Sequence, residues 1–516
     1  MKQKIKTIRD LIEYNANRSP DKIFLFFKEE KLSYKDFNIK INKIANGLLK
    51  LNVKKNDKIC LLLPNMTEFL LSWFAINKIG AIMVPINIAL KEKEVSYILN
   101  HSDANLIITT DKFLQTILNL KKETKINTII NIGKESFSNV LNYWEIFKDE
   151  DEDLKWCKLL EDDHVVYPYT SGTTGTPKGV MLTNRTYILT GKSYAETIGA
   201  TQDDKIMTPN PLFHINAQCY STMGSLSANA SLVLLERFSA SNIWKDVQKY
   251  KPTKMVLVLA SASILYNRYK DGEDIRTSVE KIIAGGAPKN HYRDFEKKFS
   301  VKLQTIYSLT ESPLGIMSPK DGISKDGGIG YPMKPPKGYG ENIIKIVDEK
   351  NEEKLPNEIG EIIIKNQAVM DGYYKDPKAT KAVLKNGFLY TGDRGYKDEE
   401  GYFFFVGRGK DILRKKGENI SAIEVESVIN SHPKVKESAV VGIPSDYGDD
   451  EIKAFVVVKE NETISDEEII NWCLETLADF KVPRVIEYID ELPKNAMGRV
   501  MKNKLIEKDL KISYSK

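Results

Sequence analysis

The densest group of chemistry-bearing side chains is the run VVYPYTSGTTGTPKGVMLTNR at residues 165–185. Inside it Thr170, Ser171, Gly172, Thr173, Thr174, Gly175, Thr176, Pro177, Lys178 and Gly179 follow one another. Glycines let backbone N–H groups come close to an anion. Five hydroxyls add donors and Lys178 adds a positive charge, so a polyphosphate is the natural occupant. The GxxxxGK[ST] phosphate loop is excluded, because Pro177 stands where its second glycine belongs. A flexible Ser/Thr/Gly linker is the bland alternative. Strand and helix signals on either side, with Pro and Lys inside the run, argue against it.

Other candidates are weaker one at a time. Asp393 follows Gly392 in YTGD and by itself reads as a turn carboxylate. His214, in PLFHINAQ, would by itself be a structural histidine, and five histidines in the chain imply no metal cluster. Cys60, Cys157, Cys219 and Cys473 lie far apart, with no CxxC or Cys/His grouping, which disfavours a disulfide framework or a structural zinc site.

The elements that must carry these residues are those of an α/β protein. Strand-like runs at 58–63, 106–109, 128–131, 231–235, 255–259 and 281–284 alternate with helix-like segments at 68–79 and 243–249. Several are apolar throughout, as in strands covered on both faces. The pattern predicts layered, mostly parallel sheets. From about Ile343 short strands with turn signals take over (342–347, 360–365, 401–406), which predicts a small β-rich subdomain. Beyond Arg408 an α+β module of about a hundred residues follows, a common domain size. Its elements are a helix at 422–430, strands at 437–442 and 451–458, and a helix at 466–477. The expected division is 1–409 and 410–516.

Composition sets the outer bounds. With 516 residues, 41% hydrophobic and 28% charged, the chain is globular, neither disordered nor fibrous. A net charge of +5, from 76 basic and 71 acidic residues, is thin for a nucleic-acid binder. The N-terminus lacks the apolar core of a secretory signal, and reduced thiols then favour the cytoplasm. The apolar stretch 69–90 contains Lys78, Gly80 and Pro85. It reads as a buried helix, a glycine stop and a short strand rather than a membrane span.

Read together, the motifs resemble the adenylate-forming superfamily of acyl-CoA synthetases, peptide-synthetase adenylation domains and luciferase. YTSGTTGTPKG matches its phosphate loop. GGAP at 285–288, YSLTE at 307–311, GEI…GYY at 360–374, YTGD at 390–393, GRGKD at 407–411, KKGENIS at 415–421 and PKNAMGR at 493–499 follow in the expected order. The resemblance spans essentially the whole chain. It implies a large N-terminal domain and a smaller mobile C-terminal one.

It also implies a chemistry. A carboxylate is a poor electrophile, since its leaving group would be oxide. Attack on the α-phosphate of ATP makes an acyl-adenylate, from which a thiolate displaces AMP. The resemblance implies ATP, Mg²⁺ and coenzyme A as partners of a small carboxylic acid. Phosphates would sit in the loop from Thr170 to Gly175, beside Lys178. Thr170 and Glu311 would bind Mg²⁺. Tyr307 would stack on adenine, with Gly285, Gly286 and Ala287 on its other face. Thr310 would touch the α-phosphate, and Asp393 with Arg408 the ribose. His214 would lie near the acyl carboxylate. Lys410 would be the hinge between two poses of the C-terminal domain, and the loop at Gly417 would line the pantetheine tunnel.

Two positions depart from the family pattern. Arg499 stands where a lysine usually bridges the substrate carboxylate and ATP, and an arginine is bulkier and planar. It substitutes for that lysine, or Lys494 or Lys502 reaches in, or adenylation is impaired. Ser308 stands where glycine is usual, which predicts an altered acyl-pocket floor.

No carrier domain follows Arg499, which favours a free-standing ligase. The stretches KIGAIMVPIN, PLFHINAQC, IWKDVQKYKPT, YKDEEGYFFFVGR and EIKAFVVV are most similar to crotonobetaine/carnitine–CoA ligases, which act on small quaternary-ammonium acids. Medium- or long-chain fatty acids, a carrier-protein acceptor, and a nucleotide binder with weakened adenylation remain alternatives.

Overall fold

The computed structural model describes residues 5–506, except 136, 155–156, 172–176, 270–274, 276, 286–291, 322–323, 409–411, 416–417, 445–449, 478, 496–497 and 499. The chain separates into two compact units. One is Met1–Ile344 with Ile363–Tyr390; the other is Lys345–Ile362 with Thr391–Lys516. The division expected at 409/410 falls inside the second unit.

The first unit holds two sheets. In one, the strands Lys302–Leu309, Lys281–Ala284, Lys254–Leu257, Lys205–Thr208, Ser231–Leu234 and Ile23–Phe27 lie side by side and parallel. Antiparallel strands flank them: Glu30–Ser33 on one side, Ser312–Met317 and Gly328–Pro332 on the other. The second sheet runs Leu182–Thr183, His164–Val166, Ile82–Pro85, Lys58–Leu61, Leu106–Thr110, Thr128–Ile132 and Leu141–Asn142. Only its first pairing is antiparallel.

Side-chain alternation along each strand explains the layers. Ile59, Leu61, Met83 and Ile108 of the second sheet share one core with Leu25, Ile206, Val256 and Ile283 of the first. The helices Tyr34–Lys50, Thr67–Lys78 and Asn184–Ile198 contribute to that same core. Cys60, Val84 and Ile107 point the other way, toward helices Glu92–His101 and Asp111–Leu120. Likewise Met207, Met255 and Ile282 pack on helices Ile243–Tyr250, Leu259–Arg268 and Tyr292–Phe299. The layered α/β architecture read from the apolar runs is therefore present.

The stretch that resembled a membrane span is helix Thr67–Lys78, then Gly80 at φ +77°, then strand Ile82–Pro85. The helix is apolar nearly all round because it is enclosed on all sides. Among the described residues no helix is long and apolar enough to cross a membrane. One expected strand ends early: the run at 255–259 pairs only to Leu257. Val258 and Leu259 leave the sheet to open a helix and are 39% and 40% exposed.

The second unit contains the strands Phe388–Lys397 and Phe403–Arg408, paired antiparallel. A hairpin, Ile412–Lys415 with Glu418–Ser421, follows. The strands Val435–Pro444, Asp450–Val458 and Val485–Tyr488 form a three-stranded sheet. Val425, Val428 and Ile429 of helix Ala422–Asn430 and Ile469 and Cys473 of helix Asp466–Leu474 pack on Val440, Ile452 and Val456.

Candidate active site

Four parallel strands of the first unit, 205–208, 254–257, 281–284 and 302–309, end on one edge of their sheet. In open α/β sheets ligands bind outside the carboxyl ends of the strands. His214, Gly285, Thr310 and Glu311 lie in the chain that leaves this edge, and Tyr307 lies near the turn-ward end of strand 302–309, paired with Ile316. Gly285 directly follows Ala284, which pairs with Thr305 on the neighbouring strand, and Tyr307 lies two residues further along that strand, just past the end of the parallel pairing. Gly285 is exposed, and among the described residues nothing lies within 4 Å of where a methyl there would stand. Gly286 and Ala287 lie outside the described residues.

Strand Lys302–Leu309 reverses into Ser312–Met317, with Leu309 paired to Ser312. Thr310 and Glu311 are the two residues of that turn, both half-buried. The turn puts a hydroxyl and a carboxylate side by side at the tip of a rigid hairpin.

The residues that flank the polyphosphate-loop candidate are paired strands. Tyr169–Ser171 pairs antiparallel with Pro177–Gly179, and Thr170 lies directly opposite Lys178. Directly opposed residues share a face about 5 Å apart at Cβ. The hydroxyl and the ammonium therefore flank the loop's base together. Gly172, Thr173, Thr174 and Gly175 lie outside the described residues, and for Ser171 only the backbone is described. The base is anchored by Tyr169, whose hydroxyl lies 2.8 Å from His101 Nδ1. Past it, helix Asn184–Ile198 opens on a Thr183 cap that accepts from the Thr186 N–H.

A third segment joins these two hairpins. Tyr374 N–H donates to the Gly179 carbonyl at 2.8 Å, and Met181 N–H to that of Gly372 at 3.0 Å. Gly372 has φ +141°, a conformation that a side chain would strain. On the other side, Met370 N–H donates to the Glu311 carbonyl at 2.8 Å. The Tyr373 hydroxyl donates to Glu311 Oε1 at 2.8 Å. The Lys178 ammonium stands 5.2 Å from the centre of the Tyr373 ring. Tyr373 belongs to the GYY motif at 372–374, but the sequence gives it no role, since its partner Glu311 lies 62 residues away.

His214 lies in a loop braced by buried amides. Asn65 Nδ2 donates to the carbonyls of Asn210 and Leu235 at 3.0 and 2.9 Å, and its Oδ1 accepts from Leu212 N–H at 2.7 Å. The chain then enters a π-helical turn, Asn216–Thr222, a distortion common at functional sites. The His214 ring packs on Phe213, with centroids 4.6 Å apart. Desolvation pushes its pKa down to about 4. It is a neutral imidazole near pH 7.

In the second unit Asp393 is 4% exposed, and its N–H donates to Thr391 Oγ1 at 3.0 Å. Its strand partner is Arg408, directly opposite. Lys410, Gly417 and Arg499 lie outside the described residues. The two lysines that flank Arg499 in sequence both face carboxylates of their own unit: Lys494 is 2.6 Å from Glu437 and Lys502 is 2.7 Å from Glu426.

A sheet edge of this kind, with Thr170 and Lys178 on one hairpin and a Thr–Glu turn on another, gathers hydroxyls, an ammonium and a carboxylate where open α/β sheets bind ligands. The family model for AMP-binding enzymes matches residues 12–374, and that for the AMP-binding enzyme C-terminal domain matches 424–499. Crotonobetaine/carnitine–CoA ligases are similar over nearly the whole chain. The one from Salmonella heidelberg (strain SL476) is 34% identical, across 97% of this chain and 99% of its own. The one from Citrobacter koseri is 36% identical, across 96% and 97%. The crystal structure of the anthranilate CoA ligase AuaEII in complex with anthranoyl-AMP superposes with a TM-score of 0.90 at 26% identity, covering 99% of this chain and 98% of that one.

The chain belongs to the AMP-binding enzyme family. It is an acid–thiol ligase that uses ATP and coenzyme A and forms an acyl-CoA through an acyl-adenylate.

Proposed function

We propose that the acid is a small quaternary-ammonium carboxylate of the crotonobetaine or carnitine type. The observation that carries this reading is the near full-length similarity, at 34% and 36% identity, to ligases bearing that name. A carrier-protein acceptor and a fatty acid are the competing outcomes. The test is a pyrophosphate-exchange panel over crotonobetaine, carnitine, butyrate, octanoate and palmitate, with and without coenzyme A. The reading requires exchange and thioester formation to be fastest with a trimethylammonium acid. A preference for an aliphatic acid overturns it. Exchange without thioester points to a carrier protein, and neither product points to a nucleotide binder.

The residue roles belong to the same proposal. The loop from Thr170 to Gly175 and Lys178 hold the polyphosphate. Thr310 touches the α-phosphate, and Tyr307 stacks on adenine against residues 285–287. Asp393 and Arg408 serve the ribose, and His214 stands near the acyl carboxylate. Lys410 is the hinge of a C-terminal domain at 410–516, and Gly417 belongs to the segment that lines the pantetheine path. The working place is the cytoplasm.

The proposed Mg²⁺ fits the donor set of the first unit. Mg²⁺ prefers hard oxygens, keeps several waters, and is usually held by one or two carboxylates together with phosphates. The Glu311 carboxylate and the Thr170 hydroxyl are such donors, and when bound the ion would neutralise charge on the phosphates. The chain's own part is to hold the Glu311 carboxylate oriented, through the Tyr373 hydroxyl. It also keeps Lys178 beside the loop and holds His214 uncharged, so that the acid's carboxylate stays the nucleophile rather than half of an ion pair.

A further inference from the structure

Segment 370–374 is bonded on both sides. Its N-terminal end takes the backbone of Glu311 through Met370 N–H, and its C-terminal end takes the exit strand of the phosphate hairpin through Gly372 and Tyr374. Val180 and Tyr373 also form an antiparallel bridge. Tyr373 stands in the middle, 9% exposed, and uses both parts of its side chain. The hydroxyl meets Glu311 Oε1, and the ring face meets the Lys178 ammonium.

We propose that Tyr373 is a positioning residue of the nucleotide site: it fixes the Glu311 carboxylate and the Lys178 ammonium relative to each other. The chemistry favours one phenol in this place. A carboxylate oxygen that accepts a hydrogen bond loses rotational freedom but keeps lone pairs for another partner. A charge-assisted bond of this kind is among the stronger ones in proteins. A cation within about 6 Å of a ring centroid is attracted by the ring's negative face. The same cation polarises the phenol and makes its O–H a better donor to Glu311. The acidic and basic groups thus stay close without forming a direct ion pair, which would neutralise both before a nucleotide arrives.

This inference rests on Glu311 being the Mg²⁺ carboxylate, and the experiment separates the two. Binding of β,γ-methylene-ATP to the full chain is measured by calorimetry in excess Mg²⁺ and in EDTA. Wild-type protein gains affinity from Mg²⁺, and Glu311→Gln loses the gain. Tyr373→Phe keeps the ring and removes only the hydroxyl. It is expected to lose about ten-fold of the Mg²⁺-dependent gain, the size of one hydrogen bond to a charged group, with unchanged affinity in EDTA and unchanged Tm. Tyr373→Leu is expected to lose affinity in EDTA as well, through Lys178. A Tyr373→Phe protein with the full Mg²⁺ gain, beside a Glu311→Gln protein without it, overturns the inference and leaves the Glu311 reading standing. Equal weakening in Mg²⁺ and in EDTA marks general packing and also overturns it. A Mg²⁺ gain that survives Glu311→Gln removes the reading, and the inference with it.

Discussion

The hydroxyls of Tyr220 and Ser308 lie 2.6 Å apart, and Tyr220 Oη is also 2.7 Å from the Pro313 carbonyl. A phenol has one proton, and a carbonyl can only accept, so Tyr220 donates to Pro313 and Ser308 donates to Tyr220. Ser308 is thus tied to the π-helical turn rather than free to turn toward a ligand. Tyr220 is fully enclosed, and burial raises its phenol pKa. The serine that departs from the family's usual glycine has a built partner.

Removing that hydroxyl loosens the contact between the π-helical turn and the Thr310–Glu311 hairpin. Ser308→Gly is expected to change the ranking of acids in pyrophosphate exchange and to leave the ATP KM within about two-fold. Tyr220→Phe strands the Pro313 carbonyl and should cost about 1–3 kcal/mol of stability, the penalty for a buried acceptor left alone, read by urea unfolding. An unchanged acid ranking in Ser308→Gly would falsify the link to specificity.

Arg499 carries the second departure. Lys494 and Lys502, the amines that could replace it, are each held by a carboxylate of their own unit. That favours Arg499 itself as the residue that meets the reacting groups. An ammonium is more compact than a guanidinium and fits a tighter site. Arg499→Lys is therefore expected to speed pyrophosphate exchange and to leave thiolysis of supplied acyl-adenylate nearly unchanged. No gain in exchange counts against this, and a loss shows the planar group to be required.

Much of the frame was legible because buried parallel strands leave a strong mark. The strand Lys281–Ala284 and the helix Ala422–Asn430 fall where the apolar pattern puts them. The 255–259 run was read two residues too long, since Val258 and Leu259 are as apolar as a strand but lie past its last parallel pairing. Hydrophobicity records burial, not where a ladder stops. The Thr–Glu turn and the loop at 170–178 were visible as motifs because their residue types sit together in the chain. Tyr373 was visible only as one letter of GYY with no role attached, and Tyr220 was not visible at all. Each acts through a contact 62 or 88 residues away, and a lone tyrosine reads as core.

His214 offers a test by pH. Its imidazole is pushed down to about 4 by desolvation, so it stays neutral from pH 5 upward. In the proposed place near the acyl carboxylate it would contribute a neutral ring and one hydrogen-bond donor, not a positive charge. His214→Phe is expected to raise the KM for the acid and to leave the pH profile of kcat between 5 and 8 unshifted. If the wild-type profile shows a limb near 6.5 that the variant lacks, the imidazole titrates during turnover and the neutral assignment is wrong.

Lys78 gives the clearest link between burial and stability. Its ammonium is fully buried at the end of helix Thr67–Lys78, 3.1 Å from Glu13, and it donates to Asn38 and Asn42 Oδ1 at 2.7 and 2.8 Å. Burial pushes its pKa down to about 8, against the opposing pull of Glu13. In the unfolded chain a lysine titrates near 10.4. Below pH 8 both states hold the proton and folding carries the whole cost of burying the charge. Between pH 8 and about 10.4 the unfolded chain binds more protons than the folded one, so this residue's contribution to stability rises with pH. The unfolding free energy of wild type minus that of Lys78→Met should climb over that window by at most about 1.4 kcal/mol per pH unit, with titrations common to both proteins cancelling. Glu13→Gln removes the counter-charge and should destabilise the fold at pH 7 by about 1–2 kcal/mol, less than for a fully buried pair because the Glu13 side chain is 33% exposed. Urea melts of the three proteins at several pH values decide it, and a wild-type-minus-Met difference that stays flat from pH 7 to 10 would mean that Lys78 keeps its proton throughout.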